Sequence, residues 1–466
     1  MIVIGIIILI IIIGFNVLNK VNSNMSNSYP AYSDGYINHL NEELSLLDPN
    51  DTADINKYVE TKSEKDLAEL GKNYTQSSWQ MEVIGTVISP IIEEMNNYEY
   101  LEKDNEKLNT VKSEYNEMCE ALKNDDWKYF ANKELEDLNL QIEELDSLIE
   151  QDSDNQDLKL QLQSLELQKE VVTLRLDKNI KYGSENYKST AIQNYRMYMG
   201  NYYQYAQNKN LTEDEKSEMN FNLEKANLYK YDLYNDVEYQ NTVTANYTFQ
   251  NSIETYIAII VMVIVIVAGV EISEEFNKGT VKLLLVRPYS RTKILLAKLI
   301  SVFITMIITT IAILVLQFIV GGIVYGFNTY MMNVVQFDFN TNSIITLKIF
   351  AYLGLIFVCK LPIFILIGTL AFALSTLFLN SPLAVALPIL GYMSSDIINM
   401  VAISYKWDWI KYFVTPNWDL SQYIFGGTPM FNGISIEFSI TICAIYFAIM
   451  LVASIISFKK RNIKNV

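Results

Sequence analysis

Six long apolar runs constrain this chain more than any other feature of its sequence. A helix needs about 20 apolar residues to cross the hydrocarbon core of a bilayer. Because lipid offers no partner to an unpaired backbone group, apolar runs of this length fold as helices. The sequence therefore predicts an all-α protein with six transmembrane spans. The runs cover residues 1–18, 253–270, 295–325, 347–379, 382–403 and 437–458.

The first run, MIVIGIIILIIIIGFNVL, has the length of either a span or a secretory signal peptide. A signal peptide begins with basic residues and ends at a cleavage site with small residues. This run has no basic leader before it and no such site after it. We favour an uncleaved span at residues 1–19 and keep the signal peptide as the alternative.

Charge divides the chain into two parts. Residues 20–252 contain 44 acidic and 22 basic residues, a net charge of −22, whereas the rest contains 9 acidic and 14 basic residues. We therefore predict an acidic, water-soluble domain at 20–252 and a membrane domain with five spans at 253–466. The acidic balance argues against nucleic acid as a partner, because nucleic acid needs a clustered positive field.

Residues that carry common enzyme chemistry are scarce. The chain has 1 histidine and 3 cysteines, Cys119, Cys359 and Cys443. Three cysteines are too few for a disulfide framework. A single histidine cannot build a zinc site or a catalytic triad. The sequence also lacks a GxxxxGK[ST] loop for nucleotide phosphates. We expect no enzymatic activity, metal or cofactor in this chain, so that any ATP is bound by a partner subunit.

Basic residues in the short loops predict the orientation of the spans. Arg287, Arg291 and Lys293 follow the second run, and FKKRNIKNV follows the sixth. Six spans place both segments on the same side, which is the cytoplasm by this rule. Residues 20–252 then lie outside a bacterial cell membrane, together with the loops near 327–346 and 404–436.

The soluble domain is predicted to be helical. Two apolar seams with heptad spacing, separated by the polar stretch QDSDNQD, predict an antiparallel coiled-coil hairpin at about 133–181. The seams consist of Leu135, Leu138, Ile142, Leu145 and Ile149, and of Leu158, Leu162, Leu165, Val172 and Leu176.

Tyrosines at helical spacing follow the hairpin, at Tyr195, Tyr198, Tyr202 and Tyr205. They could bind a peptide or a glycan, but a stripe of this kind more often packs in a core, and we favour packing. Thr212 and Glu215 have the spacing of a capping box.

Two features of the membrane domain have alternative interpretations. The segment YKWDWIKYFVTPNWDLSQYIF is either an aromatic anchor at the interface or a segment that dips into the membrane as a gate. Lys360 lies within the fourth run, where a charge is expensive and indicates a functional or structural role. Asp396 in the fifth run is its candidate partner, and reaching toward the interface is the alternative for Lys360.

A polar elbow, residues 271–293, connects the second run to the third. EISEEFNKGTVKLLL predicts a short amphipathic helix at the inner face, with Phe276 toward lipid or the helix bundle and Glu274 and Glu275 toward water. Gly279 permits a break, and Pro288 marks the turn into the next helix. A cytosolic protein could dock on such a surface and exert force on two spans.

The elbow resembles the corresponding loop of type 2, exporter-like ABC transporter permeases. The resemblance covers residues 253–466 and, by position, the first span. The matching residues are Glu271, Glu274, Glu275, Gly279, Thr280, Leu284, Arg287, Pro288, Ser290, Arg291 and Lys298. Relative to minimal members of that family, the outer domain is far larger, which adds a role in substrate capture or partner binding.

The resemblance implies a permease subunit without its own ATPase motif. A cytosolic ATP-binding subunit would bind the elbow, and a second permease copy or a paralogue would complete the transporter in the membrane lipid. The substrate would be a peptide, an antibiotic or a lipid-like molecule, with resistance to antimicrobial peptides as one role. The implied docking residues are Glu271, Glu274, Glu275, Phe276, Gly279, Thr280, Arg287, Pro288 and Arg291.

A different class of function remains open. A membrane scaffold or surface receptor, resembling phage-infection or type VII secretion accessory proteins, would also combine one span, a long helical outer domain and five further spans.

Overall fold

The computed structural model describes residues 2–25, 29–153, 155–208, 210–281, 289–431 and 433–461. These residues form two compact units, one made of residues 1–19 and 242–466 and the other of residues 20–241. We refer to them as the membrane unit and the soluble unit.

Six helices of the described chain are long and apolar enough to cross a membrane, which confirms the predicted all-α, multi-span fold. We number them as spans 1 to 6. Their bounds are Ile2–Met25, Ile257–Glu271, Arg291–Tyr325, Ile349–Phe378, Ser381–Ser404 and Ile436–Lys460.

Side-chain caps explain where several spans begin. Ser290, Asn380 and Ser435 each accept a hydrogen bond from a backbone N–H in the first turn of spans 3, 5 and 6. These bonds satisfy donors that have no partner inside the helix. The helix of span 4 continues through Pro362.

Spans 2 and 4 form the centre of the membrane unit. Ile260, Ile264 and Phe364 are completely buried, and a Cβ atom on Gly368 would lie 2.9 Å from Ile264 Cγ2. The absence of a side chain at Gly368 therefore permits the close approach of these two helices. Long faces of spans 1, 5 and 6 remain exposed, as expected for helices that contact lipid.

A buried polar network joins span 1 to the membrane unit. Asn16 Nδ2 donates to Gln317 Oε1 at 2.9 Å, and Gln317 Nε2 donates back to Asn16 Oδ1 at 3.1 Å. The Tyr256 hydroxyl also donates to Gln317 Oε1, at 2.9 Å. Asn16 has no exposed surface, so the network fixes the position of the first helix against spans 2 and 3.

Short elements complete the membrane unit. Strands in the described chain are confined to one antiparallel hairpin, β1 (Val334–Asp338) and β2 (Ser343–Leu347), in which Gln336 pairs with Ile345. The remaining elements are the α-helices Ala245–Gln250, Ser252–Thr255 and Ser273–Asn277 and the 3₁₀ helices Asn328–Met331, Asp408–Tyr412 and Leu420–Gly426.

The second segment of the membrane unit starts at residue 242, whereas the sequence predicted a membrane domain from residue 253. The helix Ala245–Gln250 accounts for the difference. Its Phe249 is buried and contacts the rings of Phe318 and Phe350 in spans 3 and 4. Hydropathy did not reveal this contact because the helix is short and mostly polar.

In its described residues, the soluble unit consists of helices joined by turns, with one isolated β-bridge between Pro30 and Thr75. Its α-helices are Asp34–Ser45, Ile55–Gly71, Trp79–Val83, Ser89–Asn96, Asn105–Lys123, Trp127–Gln151, Gln156–Lys178, Tyr187–Ala206 and Glu213–Asn235, with π-helical turns at Ile84–Ile88 and Asn97–Leu101.

The helices Trp127–Gln151 and Gln156–Lys178 pack against each other as a helical hairpin. Its coiled-coil character stays a prediction. The capping box of Thr212 and Glu215 is confirmed. Tyr195 is 1% exposed and donates to Glu170, and Tyr198 stacks on Tyr229, so these two tyrosines pack as we favoured.

Candidate functional site

The described part of the elbow is anchored to two other spans through one serine. Span 2 ends at Glu271, and a short helix, Ser273–Asn277, follows. The backbone N–H of Ser273 donates to Ser375 Oγ at 3.0 Å, and its hydroxyl lies 2.6 Å from the hydroxyl of Ser381. Because Ser375 belongs to span 4 and Ser381 to span 5, the elbow is bonded to both.

The side chain of Phe276 packs the short helix against span 6. The side chain is 5% exposed, and its ring meets the ring of Phe458 edge-on at 6.2 Å. The guanidinium of Arg461 lies 5.9 Å from the centre of the Phe276 ring, within the range of a cation–π contact. Phe276 therefore faces the bundle, and a docking partner would not reach it.

An ion-pair cluster ties the elbow to span 3. The ammonium of Lys298 lies 3.2 Å from Glu271 Oε1 and 3.0 Å from Glu275 Oε1. All three side chains are at least two-thirds buried. Thr280 adds to the cluster, because its hydroxyl donates to Glu275 Oε2 at 2.6 Å. Glu275 is thus engaged within the chain and does not face water as predicted.

The surface open to a partner is smaller than the sequence indicated. Glu274 and Lys278 pair at 2.9 Å on the exposed side of the short helix, with side chains 51% and 66% exposed. Gly279 ends the helix with φ +69°, a conformation that favours glycine, and a Cβ there would contact nothing within 4 Å. We call Glu274, Lys278 and Gly279 the exposed elbow surface.

Arg291 begins span 3 and bonds to the end of span 6. Its guanidinium donates to the carbonyls of Lys459 and Arg461, each at 3.0 Å. These carbonyls lie at the C-terminus of a helix, where a cation is favourable. The predicted docking residues Arg287 and Pro288 lie outside the described residues.

A second constellation lies within the membrane unit, around Lys360. This side chain is only 6% exposed. Its ammonium donates to Asp419 Oδ2 at 2.7 Å and lies 3.4 Å from Glu254 Oε1. The predicted partner was wrong, since Lys360 pairs with Asp419 and Glu254 rather than with Asp396.

Asp419 reaches Lys360 because the aromatic segment folds into the bundle. Asn417 is completely buried and donates to the carbonyls of Lys411 and Phe413, each at 2.7 Å, which closes a tight turn. The Ser439 hydroxyl in span 6 donates to Asn417 Oδ1 at 2.7 Å. Trp418, next to it, is 8% exposed and belongs to the apolar core of the spans.

The aromatic segment divides into an exposed part and a buried part. Trp407 and Trp409 stack on each other at 5.6 Å and stay exposed, as interfacial anchors do. Residues 414–419 instead enter the bundle and line its interior. We call them the re-entrant turn.

The re-entrant turn closes a cavity of about 300 Å³, which we call the polar cavity. Asp396 lines it, with an exposed side chain. Sequence reasoning missed Asp419 and Glu254 as partners of Lys360; Glu254 lies at the start of an apolar run, whereas Asp419 lies in the loop between the last two runs. The lining consists of Glu254, Ile257, Lys360, Ile363, Tyr392, Ser395, Asp396, Asn399, Thr415, Pro416, Trp418, Asp419, Gln422 and Met430.

A metal site would need several donor side chains close together. Among the residues that the structure describes, no group of three or more histidine, cysteine, aspartate or glutamate side chains is arranged to hold a metal ion.

Comparison with known proteins finds relatives that match slightly less than half of this chain. Uncharacterized protein YhcI of Bacillus subtilis (strain 168) is 32% identical over 224 residues, which cover 48% of this chain and 68% of YhcI. Uncharacterized membrane protein YdbK of the same organism is 27% identical over 201 residues, or 43% of this chain and 76% of YdbK. No solved structure matches.

The match to a protein family extends over both constellations. It covers residues 220–464, more than half of the chain, and includes the elbow and every residue of the polar cavity. The chain therefore belongs to the family described as protein of unknown function DUF2705.

Proposed function

We propose that this protein is the permease subunit of an ATP-driven ABC transporter. A separate cytosolic subunit binds ATP and docks on the exposed elbow surface, and a second permease copy or a paralogue completes the transporter. The chain itself is not an enzyme. The transporter exports or expels a peptide, an antibiotic or a lipid-like substrate, and defence against antimicrobial peptides is one such task.

The bonding of the elbow is the observation that carries this proposal. Lys298 ties the elbow to span 3, Ser273 ties it to spans 4 and 5, and Phe276 ties it to span 6. A lever needs both a rigid attachment and a free surface. Glu274 and Lys278 supply that surface, so a push on them is transmitted to four helices in addition to span 2.

The proposal includes an orientation. The elbow and the C-terminal end of span 6 face the cytoplasm of a bacterium, because both are rich in lysine and arginine. The soluble unit then lies outside the cell membrane, where it captures the substrate or a partner protein.

Co-purification from native membranes tests the docking step. An affinity tag on the full-length chain is expected to retain an ATP-binding subunit, identified by mass spectrometry. Replacing Glu274→Lys together with Lys278→Glu reverses the exposed pair without touching the bonds of Ser273, Phe276 or Lys298. We expect this variant to lose most of the ATP-binding subunit because charge complementarity sets the docking.

Asp408→Lys is the matched control, since Asp408 is exposed on a 3₁₀ helix far along the chain from the elbow. It should retain the subunit as the unmodified chain does. Equal retention by the elbow variant, or no ATP-binding subunit in any preparation, would contradict the proposal.

A second function is favoured by the size of the soluble unit. Residues 20–241 form a compact unit of their own, which suits a scaffold or surface receptor for an external partner. This alternative predicts that the full-length chain retains a partner protein through the soluble unit while no ATP-binding subunit accompanies it.

A further inference from the structure

The charges of the polar cavity do not cancel. Three carboxylates, Glu254, Asp396 and Asp419, line it together with one ammonium, that of Lys360. Lys360 pairs with Glu254 and Asp419, and Asp396 forms no ion pair within the described chain. The cavity therefore has two negative charges in excess, and because its carboxylates are partly exposed, a cation can reach them.

The walls of the polar cavity suit a cation with an apolar body. Tyr392 and Trp418 present their rings side by side, with centroids 6.1 Å apart. Aromatic faces attract cations and also bury hydrocarbon. The apolar wall continues with Ile257, Ile363 and Met430. The cavity therefore combines an anionic part with an apolar part.

The amide of Asn399 lines the same cavity and has one end engaged within the protein. Asn399 is 3% exposed, and its Oδ1 accepts a hydrogen bond from the Thr415 hydroxyl at 2.9 Å. Its Nδ2 makes no hydrogen bond to any residue that the structure describes. Nδ2 is not among the fully buried unpaired side-chain atoms of the described chain, so its N–H groups are accessible and can donate to a ligand with an acceptor beside its charge.

We propose that the polar cavity binds an organic cation, an ammonium-bearing molecule with an apolar body and a hydrogen-bond acceptor near the charge. Asp396 neutralises the charge, Tyr392 and Trp418 hold the body, and Asn399 donates to the acceptor. The cavity of about 300 Å³ admits one small molecule or one side chain of a peptide. As the substrate class of the transporter, this inference rests on the proposed function.

Equilibrium dialysis on the purified full-length chain in detergent tests the inference. The probe is radiolabelled lidocaine in its ammonium form, which has an aromatic body and an amide oxygen near the charge, and tetraphenylborate serves as an apolar control with the opposite charge. We expect saturable binding of the cation only. Asp396→Asn keeps the shape of the side chain and should weaken binding by up to about fivefold, the loss expected for one ion pair with an exposed carboxylate.

Two further variants make the test decisive. Glu437→Gln removes an exposed carboxylate outside the cavity and should bind as the unmodified chain does. If Asp396→Asn does not elute as a folded protein, Glu254→Gln replaces it under the same criterion. Equal affinity of the cavity variant and the unmodified chain, saturable binding of tetraphenylborate, or no saturable binding of the cation would overturn the inference.

The assay contains no ATP-binding subunit, which separates it from the test of the transporter. Binding without co-purification of such a subunit would leave the cation site standing and reject the permease function. Co-purification without binding would do the reverse.

Discussion

Lys360 shows what a single charge requires when apolar helices surround it. An ammonium that is 6% exposed is stable only with partners, and Asp419 and Glu254 supply them. Asp419 is itself held in place, because its Oδ1 accepts from the backbone and the hydroxyl of Ser421. Lys360 therefore holds the re-entrant turn against span 4.

Lys360→Met is expected to destabilise the protein, because it leaves Asp419 unpaired in the cavity. We expect a loss of about 2 kcal/mol rather than the larger loss typical of fully buried pairs, since the Asp419 side chain is 37% exposed. The measurement is the resistance of the detergent-solubilised chain to pulse proteolysis. The double variant Lys360→Met with Asp419→Leu should recover most of the loss, and a double variant less stable than the single one would contradict this account.

Asp232 gives a second prediction at the residue scale, in the soluble unit. The carboxylate is 1% exposed and accepts hydrogen bonds from the Tyr187 hydroxyl and from the backbone N–H of Gln240. Burial disfavours its charged form and raises the pKa of Asp232 to about 6. The folded protein therefore binds a proton at this site more tightly than the unfolded chain does.

The sign of the pH dependence follows from that raised pKa. Stability from this group is fully present below the unfolded pKa of about 4, and it falls as the pH rises through about 6. The free energy of unfolding of the unmodified chain should thus fall by about 2 kcal/mol relative to Asp232→Asn between pH 4 and pH 7. Pulse proteolysis of both chains at several pH values measures the difference, and a difference that does not change with pH would refute the prediction.

At the scale of elements, hydropathy and spacing predicted the helices well but not their partners. The six spans follow from apolar length, and the capping box of Thr212 follows from residue type at a fixed offset. The pairing of Lys360 with Asp419 spans 59 residues along the chain and depends on how a turn folds back. No local pattern encodes such a contact, which is why Asp396, the acid in the neighbouring run, was predicted instead.

The elbow shows the same division between local and distant information. The turn at Gly279 and the inward side of Phe276 follow from sequence spacing. The engagement of Glu275 and Arg291 within the chain does not, because Lys298 and the end of span 6 approach them only after the spans pack. The exposed elbow surface could therefore be located approximately from sequence, but not delimited.

The helical hairpin of the soluble unit allows a matched comparison of two leucines. Leu138 is 5% exposed and packs in the core with Val172, whereas Leu140, two residues later, is 57% exposed. Leu138→Ala should lower the free energy of unfolding by about 3 kcal/mol, because it removes buried methyl groups and leaves a cavity. Leu140→Ala should change it by less than about 0.5 kcal/mol.

Pulse proteolysis of the full-length chain, with cleavage followed in the soluble unit, measures both variants. Equal effects of the two substitutions would show that the hairpin does not pack through the seam that contains Leu138.

For the whole molecule, we predict the orientation in the membrane from the separation of charge between the two units. The soluble unit has a large excess of acidic residues, which suits contact with water. The membrane unit has a small excess of basic residues. The membrane unit concentrates its bases at the elbow and at the end of span 6. The proposed orientation would put the soluble unit and the elbow on opposite sides of the bilayer.

Cysteine labelling of intact cells tests this placement directly. In a background with Cys119→Ser, which leaves only the buried Cys359 and Cys443, single cysteines are introduced as Ser147→Cys or Lys278→Cys. Both positions are exposed, one on the helical hairpin and one on the elbow. A maleimide that cannot cross membranes should label Ser147→Cys in intact cells and Lys278→Cys only after permeabilisation. Labelling of the elbow from outside would place it on the side away from every cytosolic ATP-binding subunit. That result would rule out the proposed transmission of force through the elbow, because a cytosolic subunit could not dock there. The buried contacts between the elbow and the spans would remain unchanged.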